Sequence, residues 1–114
     1  MAHPVICMLK ELTKKLLFLA IAWYITHFTF LNFHEAIHQE IFAAYHCSSI
    51  HTRYYTFGLE AHTCAICPER NGDMVFLHAL NEIIGYTITG LYTILYFNLA
   101  LLLIYKTLRG EYYA

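Results

Sequence analysis

His34 and His38 stand four residues apart in the stretch HEAIH, with Glu35 directly after the first of them. On a helix, residues four apart share a face, so both imidazoles can reach one ion. Paired imidazoles suit Zn2+, and a carboxylate beside the pair can take the proton of a water attacking a polarised bond. The chemistry implied is metal-assisted hydrolysis, with Glu35 as catalytic general base and His34 and His38 as metal ligands. Catalytic zinc needs a third protein ligand and an open position. Glu82 is the candidate, because besides Glu35 and Glu40 it is the one carboxylate in or beside the long apolar runs, where ionisable groups are costly and mark function. His78, one turn before Glu82, can substitute for it or support a ligand from behind. His27 falls on the His34 face but reads as a packed, hydrogen-bonded histidine. Tyr86, one turn beyond Glu82, can donate to an oxyanion or simply pack.

A second cluster comprises His46, Cys47, His51, His62, Cys64 and Cys67. The spacing of Cys64 and Cys67 is that of a zinc knuckle, which Cys47 or His62 would complete. In an oxidising exterior, Cys47 could instead form a disulfide with Cys64 or Cys67 and staple the segment.

The elements that must position these groups follow from composition. The 114 residues are 59% hydrophobic and 13% charged, about half the usual ~25% charge of soluble domains. Lipid is the medium such helix faces imply. A net charge of −1 gives no basic stripe for phosphate backbones, which excludes nucleic acid as a partner class. Leu16 to Phe33 and Ile83 to Tyr105 are uncharged and long enough for the ~20 residues a membrane helix requires. The first run is too long for a signal-peptide core, so it reads as a permanent span. It continues without Gly or Pro through His34 to Tyr45, so one helix leaves the membrane still coiled.

The expected fold is one all-α unit. It is a membrane-embedded antiparallel hairpin with span 1 at about 16–36, span 2 at about 83–105 and an irregular Cys/His-rich loop at 47–73. Antiparallel packing from the two helix ends brings His38 level with Glu82, at the outer membrane interface. Lys10, Lys14 and Lys15 precede the first span, and Lys106 and Arg109 follow the second, which places both termini in the cytoplasm. Tyr24, Tyr45, Tyr54, Tyr55, Tyr105, Tyr112 and Tyr113 read as interfacial anchors or as packed side chains. Gly85, Thr89 and Thr93 form a small-residue seam. Because two helices cannot shield a polar site from lipid, a homo-oligomer or a partner subunit is expected.

HEAIH followed by LNEIIGY resembles the gluzincin class of zinc metallopeptidases, in which HExxH on one helix is completed by a glutamate from an Asn-Glu pair on a later helix. The resemblance implies His34, His38 and Glu82 as zinc ligands, Glu35 as general base and a peptide substrate. It covers only these two patches, without the large domains and edge strand that hold peptide in that class. Site-2-type membrane proteases also carry HExxH in a span, but their Asn-Pro and Asp-Gly signature is missing. Two other readings remain. One is a haem- or iron-binding redox subunit using His27, His34, His38 and His78, similar to membrane desaturases only through the His34 to His38 spacing. The other is a structural membrane protein with a metal staple.

Overall fold

The computed structural model describes residues 2–110. Tyr112 and Tyr113, expected among the anchors, lie outside the described residues. The chain forms helix α1 (Ala2–Ala44), strand β1 (Ser48–Tyr55), a 3-10 turn (Thr56–Gly58), strand β2 (Glu60–Ile66) and helix α2 (Gly72–Leu108). The expectation of an all-α fold is therefore corrected. Residues 47–73 are not an irregular loop but carry an antiparallel two-stranded sheet.

Helix α1 runs for 43 residues, and its one proline, Pro4, sits in the first turn, where the missing N–H has no helical partner to lose. It ends where His46 turns to φ 60°. The His46 N–H then bonds to the Ala43 carbonyl at 3.1 Å and the Cys47 N–H to the Phe42 carbonyl at 3.0 Å. That pair of bonds is a Schellman cap, here with histidine in the left-handed position glycine usually takes. Helix α2 starts on an Asn71 cap, whose Oδ1 accepts from the Asp73 N–H at 2.8 Å and the Met74 N–H at 3.3 Å.

The strands pair Thr52 with Thr63, Arg53 with His62, Tyr54 with Ala61 and Tyr55 with Glu60, and a bulge separates the Ser48 and His51 pairs. Cys47 and Cys67 flank the base of this hairpin and are joined as a disulfide. The Met74 thioether lies 3.9 Å from each sulfur. Four polar ties seat the hairpin on α1. The Tyr54 hydroxyl donates to Asn32 Oδ1, Gln39 Nε2 donates to Thr52 Oγ1, Thr63 Oγ1 donates to Glu35 Oε2, and His27 Nε2 donates to the Leu59 carbonyl.

Two compact units can be distinguished, residues 26–89 and the segments on either side of them. In the flanking unit, Trp23 Nε1 donates to Thr93 Oγ1 at 3.0 Å, and Arg109 bonds to the Tyr105 hydroxyl at 2.6 Å. The central unit contains the hairpin and the His/Glu cluster.

Burial runs opposite to that of a water-soluble domain. Among the described residues the buried polar side chains are His34, Glu35, His38, Asn81 and Thr107, whereas the buried apolar ones are only Ala61 and Met74. Phe18, Phe33, Ile83, Leu91 and Phe97 are exposed. Both helices are long and apolar enough to cross a membrane, and the rest of the chain buries neither apolar stretch.

Candidate metal centre

The HExxH turn of α1 presents its imidazoles to α2, with the His34 and His38 ring centroids 4.8 Å apart and perpendicular at 88°. His34 is 8% exposed, Glu35 4% and His38 7%. From α2, Glu82 Oε1 reaches both rings, 3.2 Å from His34 Nε2 and 2.6 Å from His38 Nε2. The antiparallel register expected from counting inward from the helix ends is thus present, with His38 level with Glu82.

Two α2 residues make this approach possible. Gly85 lies against His34 so closely that a Cβ there would stand 2.6 Å from the ring Cε1 and 2.7 Å from Nδ1. Any side chain would push the imidazole away. Asn81, buried between the helices, donates from Nδ2 to the His34 backbone carbonyl at 3.1 Å and fixes the level at which the helices meet. The sequence marks Gly85 as part of a small-residue seam suited to close helix contact and Asn81 as a member of the Asn-Glu pair, but it does not name the partner of either.

The donors suit a compact ion. Ligands about 2.1 Å from a tetrahedral zinc stand about 3.4 Å from one another. The 3.2 Å separation of His34 Nε2 and Glu82 Oε1 is already near that value, and the 2.6 Å separation at His38 would open by about 1 Å to admit an ion. The donor atoms of His34, Glu35 and His38 also lie within 4.8 Å of one another, but Glu35 Oε1 is 4.0 Å from His34 Nε2. Glu82 is the better placed carboxylate.

His78 stands behind His38. The two Nδ1 atoms are 2.7 Å apart and the rings stack at 4.9 Å, so one nitrogen must donate and the other accept. If His38 binds an ion through Nε2, its Nδ1 carries the proton and donates to His78. The proton of His78 is then on Nε2, a buried atom with no hydrogen-bond partner. His78 is arranged to orient His38 rather than to replace Glu82.

The cluster faces a cleft of about 670 Å3, lined by His27, Phe30, Thr63, Tyr86 and the start of β2 among others. His27 lies 2.8 Å from the Leu59 carbonyl, which fits the hydrogen-bonded reading. Tyr86 lines the same cleft and is 75% exposed. The loop cluster does not assemble. Cys47 and Cys67 are bonded to each other, and Cys64 is an exposed thiol outside that bond. His62 packs on Tyr55, His51 bonds to the Ser49 carbonyl, and His46 serves as the helix cap. Among the described residues the metal-sized group of His, Cys and carboxylate donors is the one around His34 and His38, and no residue of the loop cluster belongs to it. The zinc-knuckle alternative is therefore not formed.

The Gly85, Thr89 and Thr93 seam is turned at least partly toward the chain's own α1, with Gly85 against His34 and Thr93 bonded to Trp23. Compared with known proteins, the chain matches no protein family, no curated sequence and no solved structure.

Proposed function

We propose that this chain is a membrane-embedded zinc hydrolase of gluzincin type that cuts peptide bonds at the outer membrane surface. The observation that carries the reading is the convergence of His34 Nε2 and His38 Nε2 on one Glu82 oxygen, with Glu35 beside them but tied to the hairpin. When bound there, Zn2+ would supply Lewis acidity toward a scissile carbonyl and acidify water. Glu35 takes the proton of the attacking water and delivers it to the leaving amine. His78 holds the His38 ring, and Gly85 leaves room for His34. β2 supports a peptide substrate: residues 59–63 line the cleft, and β2 pairs only with β1 among the described residues. An extended peptide can add along its other edge. This strand was not foreseen from the sequence.

The donor arrangement favours a small ion over haem. His38 is engaged through both ring nitrogens, His27 through Leu59, and the third convergent donor is a carboxylate. The inverted burial supports two spans in lipid with the hairpin outside. The basic flanks support cytoplasmic termini. Glu82, with 43% of its side chain exposed, supports an oligomeric neighbour or partner subunit that completes the shielding.

Metal analysis of protein purified in detergent tests the reading. About one zinc per chain, lost in His34→Ala and His38→Ala and accompanied by hydrolysis of a quenched peptide, is expected. A Soret band, stoichiometric iron or unchanged metal in His34→Ala overturns it.

A further inference from the structure

Glu35 and Glu82 are carboxylates beside the same two imidazoles, yet the proposed chemistry needs one as base and the other as ligand. The structure contains a device that separates them. Gln39, one turn after Glu35 on α1, donates from Nε2 to Thr52 Oγ1 at 2.7 Å. Thr52 and Thr63 are directly paired across the hairpin, with their hydroxyl oxygens 2.8 Å apart. Thr63 Oγ1 then meets Glu35 Oε2 at 2.5 Å. The direction of this relay is fixed at both ends, because an amide NH2 can only donate and an ionised carboxylate can only accept. Each hydroxyl therefore donates toward Glu35, and successive bonds polarise one another in the same sense.

We infer that Thr63, backed by Thr52 and Gln39, is the positioning residue that holds Glu35 as a base and keeps it from becoming a metal ligand. This rests on the zinc reading above. The bond holds Oε2 against β2 and leaves Oε1 4.0 Å from His34 Nε2. Two ligands of one tetrahedral zinc stand about 3.4 Å apart, so only a modest swing separates Glu35 from coordination. Its 4% exposure gives the side chain no solvent to turn into once the tether is lost.

Cobalt(II) exchanged into the full-length protein reports ligand number, because its visible absorption weakens as coordination rises from four to five. Thr63→Val is expected to bind cobalt with visible intensity lower than the parent protein, and Thr63→Ser, which keeps the hydroxyl, to retain the parent spectrum. Gln39→Leu, which removes the first donor without altering either threonine, is expected to move the spectrum the same way by less. In a Glu35→Ala background, Thr63→Val is expected to change nothing. Parent-like spectra in Thr63→Val and Gln39→Leu overturn the inference and leave the zinc reading standing. A change that persists in the Glu35→Ala background overturns it too, since the hydroxyl then acts through another group. A Thr63→Val protein that no longer binds cobalt, with a parent-like Gln39→Leu, also overturns it. Failure of the parent protein to bind cobalt through His34 and His38 overturns both.

Discussion

Gly85 faces His34 across the helix pair at a distance that admits no side chain, with a Cβ at that position falling 2.6 Å from the imidazole Cε1. Real Cβ atoms do not approach so closely, so Gly85→Ala must move the ring or separate the helices. Overpacking of this kind costs about 1–3 kcal/mol. Thermal melts should show that loss, and zinc affinity should fall because His34 is displaced from Glu82. Gly90→Ala is the control, since a Cβ there meets nothing within 4 Å and alanine gains up to about 1 kcal/mol of helix propensity. Similar behaviour of the two variants would contradict the packing described.

The disulfide follows from strand register. Ser48 pairs with Ile66 at the open end of the hairpin, so Cys47 and Cys67 are the next residues outward on each strand. Cys64 pairs with His51 inside the ladder and is carried away from Cys47. Cys67→Ser should therefore lower stability by about 3 kcal/mol, the usual loss for a closed loop of this order. Cys64→Ser should be nearly neutral. Zinc at His34 and His38 should survive in the folded fraction of both, as metal analysis at low temperature would show. Loss of all metal in Cys67→Ser would place the site in the hairpin.

The two helices were legible because uncharged runs as long as Leu16 to Phe33 and Ile83 to Tyr105 have few other uses. The meeting of His38 with Glu82 was legible because an antiparallel hairpin fixes depth by counting from its turn. The hairpin was not. Its turn, Thr56-Phe57-Gly58, places all three residues at positive φ without the Asn-Gly or Asp-Gly pair that announces such turns. The alternation of Ile50, Thr52 and Tyr54 is short, and the bulge between Ser48 and His51 cuts it off from the start of the strand. The tie from Thr63 to Glu35 depends on that register and on how the sheet is seated on α1, neither of which leaves a local pattern. The missed strand also hid the edge beside the cleft.

Membrane orientation makes Cys64 informative, because it is an exposed thiol on β2, outside the disulfide. If both termini are cytoplasmic, as proposed, a membrane-impermeant maleimide added to intact cells should label the parent protein and Cys7→Ser, and fail to label Cys64→Ser. Labelling that depends on Cys7 instead would reverse the topology.

The sharpest division concerns the five groups around the proposed ion, which touch it or one another in different ways. Glu35 Oε2 is committed to Thr63 and its proposed role is to move a proton, so Glu35→Gln keeps the shape while removing the basicity. Hydrolysis should fall by about 10²–10⁴-fold, the usual contribution of a positioned base, with zinc content unchanged. Glu82 Oε1 sits where both imidazoles converge. Glu82→Ala should weaken metal binding by more than about 100-fold, the upper range for groups that only support a ligand. His34→Ala and His38→Ala should resemble it. His78 bonds to His38 but not to the convergence point, so His78→Ala should weaken zinc by about 10–100-fold and fall between the two classes. Competition with a chelator of known affinity measures all five variants on one scale. Metal loss in Glu35→Gln with retention in Glu82→Ala would exchange the two roles, and equal affinity throughout would remove the site.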